Sequence, residues 1–300
     1  MIPRGTIIAA LIGIEIAILG EMVVAARGEQ PVPSSVQRMV AEAAHGPNLV
    51  EGGPHRLFDA GANAALVVDI GYADLTILTG TASQIDVALD ASTDFGLLRA
   101  TAPITVRKDG DTIRIATTRH GWSAGDNRMV TVVVTPGTKV TVVDAGDIKA
   151  NGLRAEASFK SVGNGSVTIE DYEAPGLRVA TSDGDISLRQ IVAGRLTATS
   201  RNGHIDGAAL RVRDGSVETS NDRVRLGFAP GADTLVSANT SNGAIRISGF
   251  AANASAGNAP TSSGDADESD SFSRTVRIGA GSGRLDVHAT NGDIDLRQEI

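Results

Sequence analysis

From Phe58 onward the chain alternates apolar and polar residues in short bursts separated by small polar clusters. The runs ALVVDI (65–70), DLTIL (74–78), QIDVAL (84–89), PITVRK (103–108), DTIRIATT (111–118), MVTVVVTP (129–136) and KVTVVDA (139–145) read as strands. Several keep the period of two that half-buried strands show. KDGD at 108–111 predicts a turn joining two of them. Ahead of Phe58 the pattern is different. Thr6–Ala26 is mostly apolar, and 21 helical residues at about 1.5 Å each roughly span a bilayer core.

Farther along, the alternation becomes a repeat. Turn glycines stand at Gly146, Gly165, Gly184 and Gly203, 19 residues apart, and the next position at that spacing is Asp222. Gly243 follows 21 residues later and Gly292 another 49 beyond it. Self-similarity near this period is the mark of stacked coils. Before the glycine come Asn164, Asp183, Asn202, Asn221, Asn242 and Asn291, with Ala145 the one departure. Two residues after it come Ile148, Val167, Ile186, Ile205, Val224, Ile245 and Ile294. Four after it come Ala150, Ile169, Leu188, Gly207, Leu226, Ile247 and Leu296. Upstream, LRVAT, LTATS, VETS and LDVHAT supply a second short strand per unit.

Gly, Asn and Asp enter positive-φ conformations at least cost, so an Asn-Gly pair is expected to bend the chain there. Residues two and four beyond the turn then point to one side. Stacked units place Ile186, Ile205, Val224 and Ile245 in one aliphatic column and Asn202, Asn221 and Asn242 in a hydrogen-bonded ladder at one corner. Asn-Gly also marks two-residue hairpins, so an antiparallel meander competes with parallel coils. The identity of position from unit to unit favours coils. Residues 249–274, GFAANASAGNAPTSSGDADESDSFSR, are poor in apolar residues and are expected to form a disordered polar insertion. TVRIGAGSGRLDVHATNGDIDL then resumes the ladder.

The expected organisation is a short cytoplasmic start at 1–4, a transmembrane anchor or signal segment at 5–26, a linker at 27–57 and a β-solenoid domain at 58–300. Arg4 precedes the apolar segment, while Glu15 and Glu21 interrupt it. An acid near its centre costs a few kcal/mol in a bilayer. A cleaved signal peptide accounts for the same facts, with small residues around Val24-Ala25-Ala26. Both readings carry the rest of the chain out of the cytoplasm, to the periplasm or cell surface. A buried core helix fits less well, because a polar stretch containing Pro31 and Pro33 follows. Pro47 and Pro54 also punctuate that linker, and a short helix is expected over Val36–Ala44.

Composition narrows the function classes. Apolar residues are 41% but aromatics only 3%, with 35 Gly, which suits many short strands and tight turns rather than a helical bundle. Net charge is −8 and the 27 basic residues form no dense run, so nucleic acid is not an expected partner. The absence of cysteine excludes disulfides, thiolate metal sites and a thiol nucleophile.

Candidate chemistry is sparse. Asp265, Asp267, Glu268 and Asp270 cluster in the insertion but lack the pattern of a helix-loop-helix calcium loop, and a solvated loop explains them better. Asp183/Asp185 and Asp293/Asp295 resemble acid–base pairs or a calcium groove, yet their counterparts in other units are Asn, Ser, His, Arg or Ala, so turn chemistry accounts for them. None of His45, His55, His120, His204 and His288 has a partner at helical metal spacing. No nucleophile elbow and no phosphate loop is present. Trp122, Tyr72 and Tyr172 are the only Trp and Tyr, too few for a stacked sugar platform. Arg201 and Arg223 lie near unit turns without a carboxylate set around both. No catalytic, cofactor or metal residue is therefore assigned.

The units LRVATSDGDISL, LTATSRNGHI and SANTSNGAI, with the ending VRIGAGSGRLDVHATNGDIDL, resemble the bacterial DUF4097 family of candidate adhesins over about residues 58–300. The resemblance implies an all-β, parallel β-helix-like solenoid outside the cytoplasm, commonly tethered by an N-terminal transmembrane helix. It implies no enzymatic activity and no cofactor. The expected role is adhesion, surface scaffolding or envelope sensing toward an unidentified surface ligand, with the membrane as the second partner. The competing class is a β-helix lyase or hydrolase acting on an acidic polysaccharide.

Overall fold

The computed structural model describes residues 55–61, 63–90, 104–117, 129–250 and 272–299, all within one compact unit, Gly53–Ile300. Thr6–Ala26, Val36–Ala44 and the acidic cluster of the insertion lie outside the described residues. Among the described residues every regular element is a strand. The alternating runs become β1 (His55–Asp59), β2 (Ala65–Asp69), β3 (Asp74–Thr79), β4 (Gln84–Asp90), β5 (Ile104–Asp109), β6 (Thr112–Thr117), β7 (Met129–Val134), β8 (Lys139–Ala145), β9 (Ile148–Asn151) and β10 (Ala157–Ser161). The repeat supplies β11 (Val167–Ala180), β12 (Ile186–Ser200), β13 (Ile205–Thr219), β14 (Val224–Phe228), β15 (Thr234–Thr240) and β16 (Ile245–Ser248). After the insertion come β17 (Phe272–Ile278), β18 (Arg284–Ala289) and β19 (Ile294–Gln298). The β domain starts three residues ahead of Phe58, because β1 already pairs antiparallel with β4. Of the expected insertion 249–274, Gly249, Phe250 and Phe272–Arg274 are described, with Phe272–Arg274 in a strand paired to β15 and Phe250 against Phe228, and residues 251–271 lie outside the described residues.

The repeat pairs in parallel, which settles coils against the meander. Val167 faces Ile186 and Ile186 faces Ile205, each 19 residues on, so each turn of chain lies on the previous one. The period-two runs nearer the start include true hairpins: β5 and β6 pair antiparallel around Gly110, which sits at φ 58°. Together the strands form one wound, solenoid-like sheet.

A coil has three legs rather than the two that the sequence suggests. In β12, Ile186 and Leu188 point inward, then Ile191 and Ala193, then Leu196, Ala198 and Ser200, while Arg189–Gln190 and Gly194–Arg195 turn the chain between them. The first of these corners is left-handed: Gly152, Asp171, Gln190, Ala209 and Gly249 all have positive φ, each six residues past a turn glycine. Three of them carry side chains, a strained choice for L-residues.

The stack does not follow chain order at either end. β2–β3 lies between β6–β7 and β8–β9. At the far end β18–β19 lies between β13–β14 and β15–β16. The aliphatic column therefore runs Val167, Ile186, Ile205, Val224, Ile294, Ile245, with Ile294 inserted where direct succession from Val224 to Ile245 was expected. All six are buried, each contributing about 1.5–3 kcal/mol.

Three hydrogen-bonded ladders climb the turn corner. Asn202, Asn221, Asn291 and Asn242 each donate an amide N–H to the side-chain oxygen of the preceding member, the last three at 2.5–2.8 Å. The ladder ends on Asp183, a residue that only accepts. Buried hydroxyls form the second. Ser200 Oγ donates to Gly184 O at 3.2 Å and accepts from Gly203 N at 2.9 Å, and Ser161, Thr181, Thr219 and Thr240 make the same outgoing bond to a turn-glycine carbonyl. In the third, Asp147, Asp185 and Asp293 accept the backbone N–H of Ser166, His204 and Ala244, each at 2.8 Å.

None of the turn glycines has positive φ, contrary to the expected reason for their presence. Contact between coils requires them. A Cβ on Gly184 would stand 2.0 Å from Gly165 O, and one on Gly203 2.0 Å from Gly184 O. Gly243 would meet Gly292 O at 2.1 Å.

Three outcomes follow. Gly184→Ala must separate two backbones, so it should destabilise by about 1–3 kcal/mol in urea melts. Gln190→Gly should have the opposite sign. Relief of left-handed strain, about 1–2 kcal/mol, exceeds the entropic penalty of glycine, leaving a gain of up to about 1 kcal/mol. Removing residues 279–300 withdraws an internal coil, so hydrogen-exchange protection should vanish across β16, whose partner is β19, as well. Retained protection there would contradict the interleaved order.

Candidate functional site

The legs formed by β8, β10 and the second halves of β11, β12 and β13 lie side by side in parallel. Their inward residues, among them Val140, Ala157, Leu177 and Leu196, are buried in the core. Their outward residues face an open groove of about 820 Å³. Thr141, Ser158, Arg178 and Thr197 occupy one register row across four strands, so a line of short hydroxyls crosses the floor with one guanidinium among them.

Gly176 and Gly194 keep the end of the groove low. A Cβ on Gly194 would approach Pro175 O to 2.8 Å, and one on Gly176 would meet the Glu156 side chain at 3.3 Å. Beneath them the buried Tyr172 donates its hydroxyl to Gly176 O, bracing the corner, and burial pushes its phenol well above the ordinary value. The phenol is structural rather than reactive.

The charges are what distinguish the groove. Lys139, Arg178, Arg195 and Arg213 line it, against Glu156 and Asp214. Arg213 Nε donates to Asp214 at 2.8 Å, and that bond, then the Arg284 N–H, holds the Asp214 carboxyl below its usual range. Among the described residues Lys139, Arg178 and Arg195 have no carboxylate within ion-pair distance. The outward face of the neighbouring legs is different. There Arg189 pairs with Glu170 at 3.7 Å, Arg225 with Asp206 at 3.8 Å, and Arg246 with Asp293 at 2.7 Å and Asp295 at 3.4 Å. The Ala244 N–H and Arg246 lower the Asp293 carboxyl. One face is self-neutralised; on the other Arg195 lies in register with Asp214 and is attracted to it, while Lys139 and Arg178 have no ion-pair partner among the described residues.

The residues singled out by sequence fall elsewhere. Asp183 terminates the Asn ladder, Asp185 and Asp293 cap backbone N–H groups, and Asp295 pairs with Arg246. These acids bond turns and neighbouring coils. His55 Nδ1 is 3.5 Å from Asp86, His204 Nδ1 is 2.6 Å from Asp222, and His288 Nε2 is 3.5 Å from Thr290 Oγ1. Arg201 is exposed, and Arg223 lies in register with Asp293 and is attracted to it. Tyr72 is exposed beside Asp74 and Asp147 in a smaller cavity of about 440 Å³. Desolvation raises the Asp74 carboxyl, and Asp74 accepts the Asp147 N–H at 3.0 Å. His45, His120, Trp122 and the cluster Asp265, Asp267, Glu268 and Asp270 lie outside the described residues. Among the described residues no group of three or more His, Asp or Glu is arranged to hold a metal ion.

Sequence reasoning missed the groove. Its cations recur at 178, 195 and 213, off the 19-residue period, so no repeat position collects them. Only the register reveals that Arg178 faces Thr197 while Arg195 faces Gly176 and Asp214.

The chain is similar to several solved structures at low identity. A candidate adhesin from Bacteroides fragilis is 12% identical with a TM-score of 0.45, the match covering 82% of this chain and 96% of that one. A candidate cell-adhesion protein from Clostridium sporogenes is 10% identical with a TM-score of 0.34, covering 82% and 99%. A candidate lipid-binding protein from Parabacteroides distasonis is 11% identical with a TM-score of 0.36, covering 82% and 97%. No curated protein matches the chain. The model of the Toastrack DUF4097 family matches residues 63–297, so the all-β coils with their glycine turns belong to a member of that family.

Proposed function

We propose that this chain is a non-catalytic binding protein held at the membrane, with its β domain outside the cytoplasm acting in adhesion, surface scaffolding or envelope sensing. The observation that carries the binding role is the open groove in which four cations face two carboxylates, on an otherwise acidic and internally neutralised frame. Three hydrogen-bonded ladders, two of them anchored on the backbone, make that frame rigid, so the groove is presented with little ordering penalty on binding. Tethering is supported by the sequence: Thr6–Ala26 is long and apolar enough to enter a bilayer, with Arg4 on its short side. Among the described residues no helix is long and apolar enough to cross a membrane.

Reporter fusions after Ile300 test the location. A phosphatase active only outside the cytoplasm should work there, and alkaline extraction should leave the chain in the membrane fraction. Activity of a reporter confined to the cytoplasm would refute the orientation, and release by alkali would refute the anchor.

A further inference from the structure

We propose that the groove over β8, β10, β11, β12 and β13 binds an acidic polysaccharide, its carboxylate or sulfate groups held by Lys139, Arg178 and Arg195 and its hydroxyls by Thr141, Ser158 and Thr197. This rests on the non-catalytic binding role above and supplies its ligand class.

The dimensions require a polymer. Five parallel strands at about 4.8 Å spacing make a groove about 19 Å long, several times the size of a single anion. Cations recur along it. Arg178 and Arg195 sit on adjacent strands, staggered by two residues, which places their Cα atoms about 8 Å apart. An extended chain bearing one acid per unit matches such a series, and guanidinium forks suit carboxylate and sulfate geometry.

Other polyanions fit less well. A single strand of nucleic acid needs aromatic faces for its bases, and no aromatic side chain lines the groove. A membrane surface needs apolar side chains to insert, whereas Val140, Ala157 and Leu177 are buried beneath the floor. What remains exposed is hydroxyls and four cations against the carboxylates Glu156 and Asp214, a net positive lining that complements a charged sugar. Without stacking platforms the attraction is mainly electrostatic, so binding is salt-sensitive.

The groove is not a by-product of general basicity. The chain carries a net charge of −8, and the arginines on the neighbouring face are paired. Those paired arginines provide the matched control.

The test uses the full chain in detergent with oligogalacturonate and dextran sulfate as probes, and neutral dextran, single-stranded DNA and phosphatidylglycerol vesicles as comparisons. Arg178→Ser with Arg195→Ser removes two groove cations; Arg189→Ser with Arg225→Ser removes two from the other face. The expected result is binding to one or both acidic glycans that falls as salt rises. It should weaken roughly tenfold or more in the groove variant and less than about twofold in the control, with unchanged thermal midpoints. Arg178→Lys should lie between, because it keeps charge and loses the fork. If the groove variant fails to fold, Arg178→Lys decides, and wild-type affinity in it counts against the proposal. Equal loss in the control pair, no binding to either acidic glycan, or DNA or vesicles binding as tightly would overturn it. Bound oligogalacturonate that is also shortened would uphold the groove and overturn the non-catalytic reading.

Discussion

The fold depends on how closely successive coils approach at one corner. Turn glycines stack carbonyl against Cα, and any Cβ at Gly184 or Gly203 would penetrate the neighbouring peptide. That contact fixes the rise from coil to coil at backbone dimensions. Once it is fixed, a serine or threonine three residues upstream is in place to bridge its own glycine N–H and the previous glycine carbonyl. The asparagine before the glycine is then close enough to bond its copy in the next coil. The ladders are consequences of the close approach, and the hydroxyl and Asp ladders satisfy backbone polar groups that the corner would otherwise leave without partners.

This explains which parts of the architecture could be read from the sequence. Residues that meet their own copies must be of one kind, so the columns at Ile186–Ile205 and Asn202–Asn221 appeared as a repeat. The strands from Ala65 to Ala145 were visible because each alternates within itself. The third leg was not, although Tyr172, Ile191 and Leu210 are 19 residues apart, because a three-residue leg is too short to show alternation. The order of coils at the ends was also hidden. Val224 facing Ile294 rather than Ile245 depends on which strand reaches the edge first, and identical turn sequences specify position within a coil but not rank in the stack. The reason for the glycines was misjudged for a related cause: an Asn-Gly pair reads as a turn in isolation, while the steric demand comes from another coil.

Charge follows the same division between what repeats and what does not. On the face carrying Arg189, Arg225 and Arg246, opposite charges sit on neighbouring coils close enough to pair. Exposed pairs of this kind add little stability, about 0–1 kcal/mol each. Their clearer effect is to leave that face without a net field. The groove face keeps Lys139 and Arg178 unmatched and sets only Asp214 beside Arg195 and Arg213, and its low floor at Gly176 and Gly194 keeps these cations accessible. A scaffold selected for stability alone would have no use for uncompensated cations in an acidic chain.

The two ends of the stack pose the remaining physical problem. A wound sheet that simply stopped would expose a bare row of N–H and C=O groups and an open core, the usual route to edge association. Here the chain runs past the vacant position, lays β15–β16 one coil farther out, adds the antiparallel β17 to one edge, and returns to fill the gap with β18–β19. The other end mirrors this, with β6–β7 outside β2–β3 and the antiparallel β4 and β5 beyond them. Antiparallel edge strands reverse the hydrogen-bonding pattern that another coil would need, so the stack cannot grow by adding an identical unit on those legs. Interleaving also fastens the outermost coil through contacts as distant in sequence as Asn242 and Asn291. Fraying from either tip must therefore disturb a coil already locked inside. The groove lies in the middle of this arrangement, on the coils most completely flanked by others, where the register that positions Arg178 and Arg195 is held from both sides.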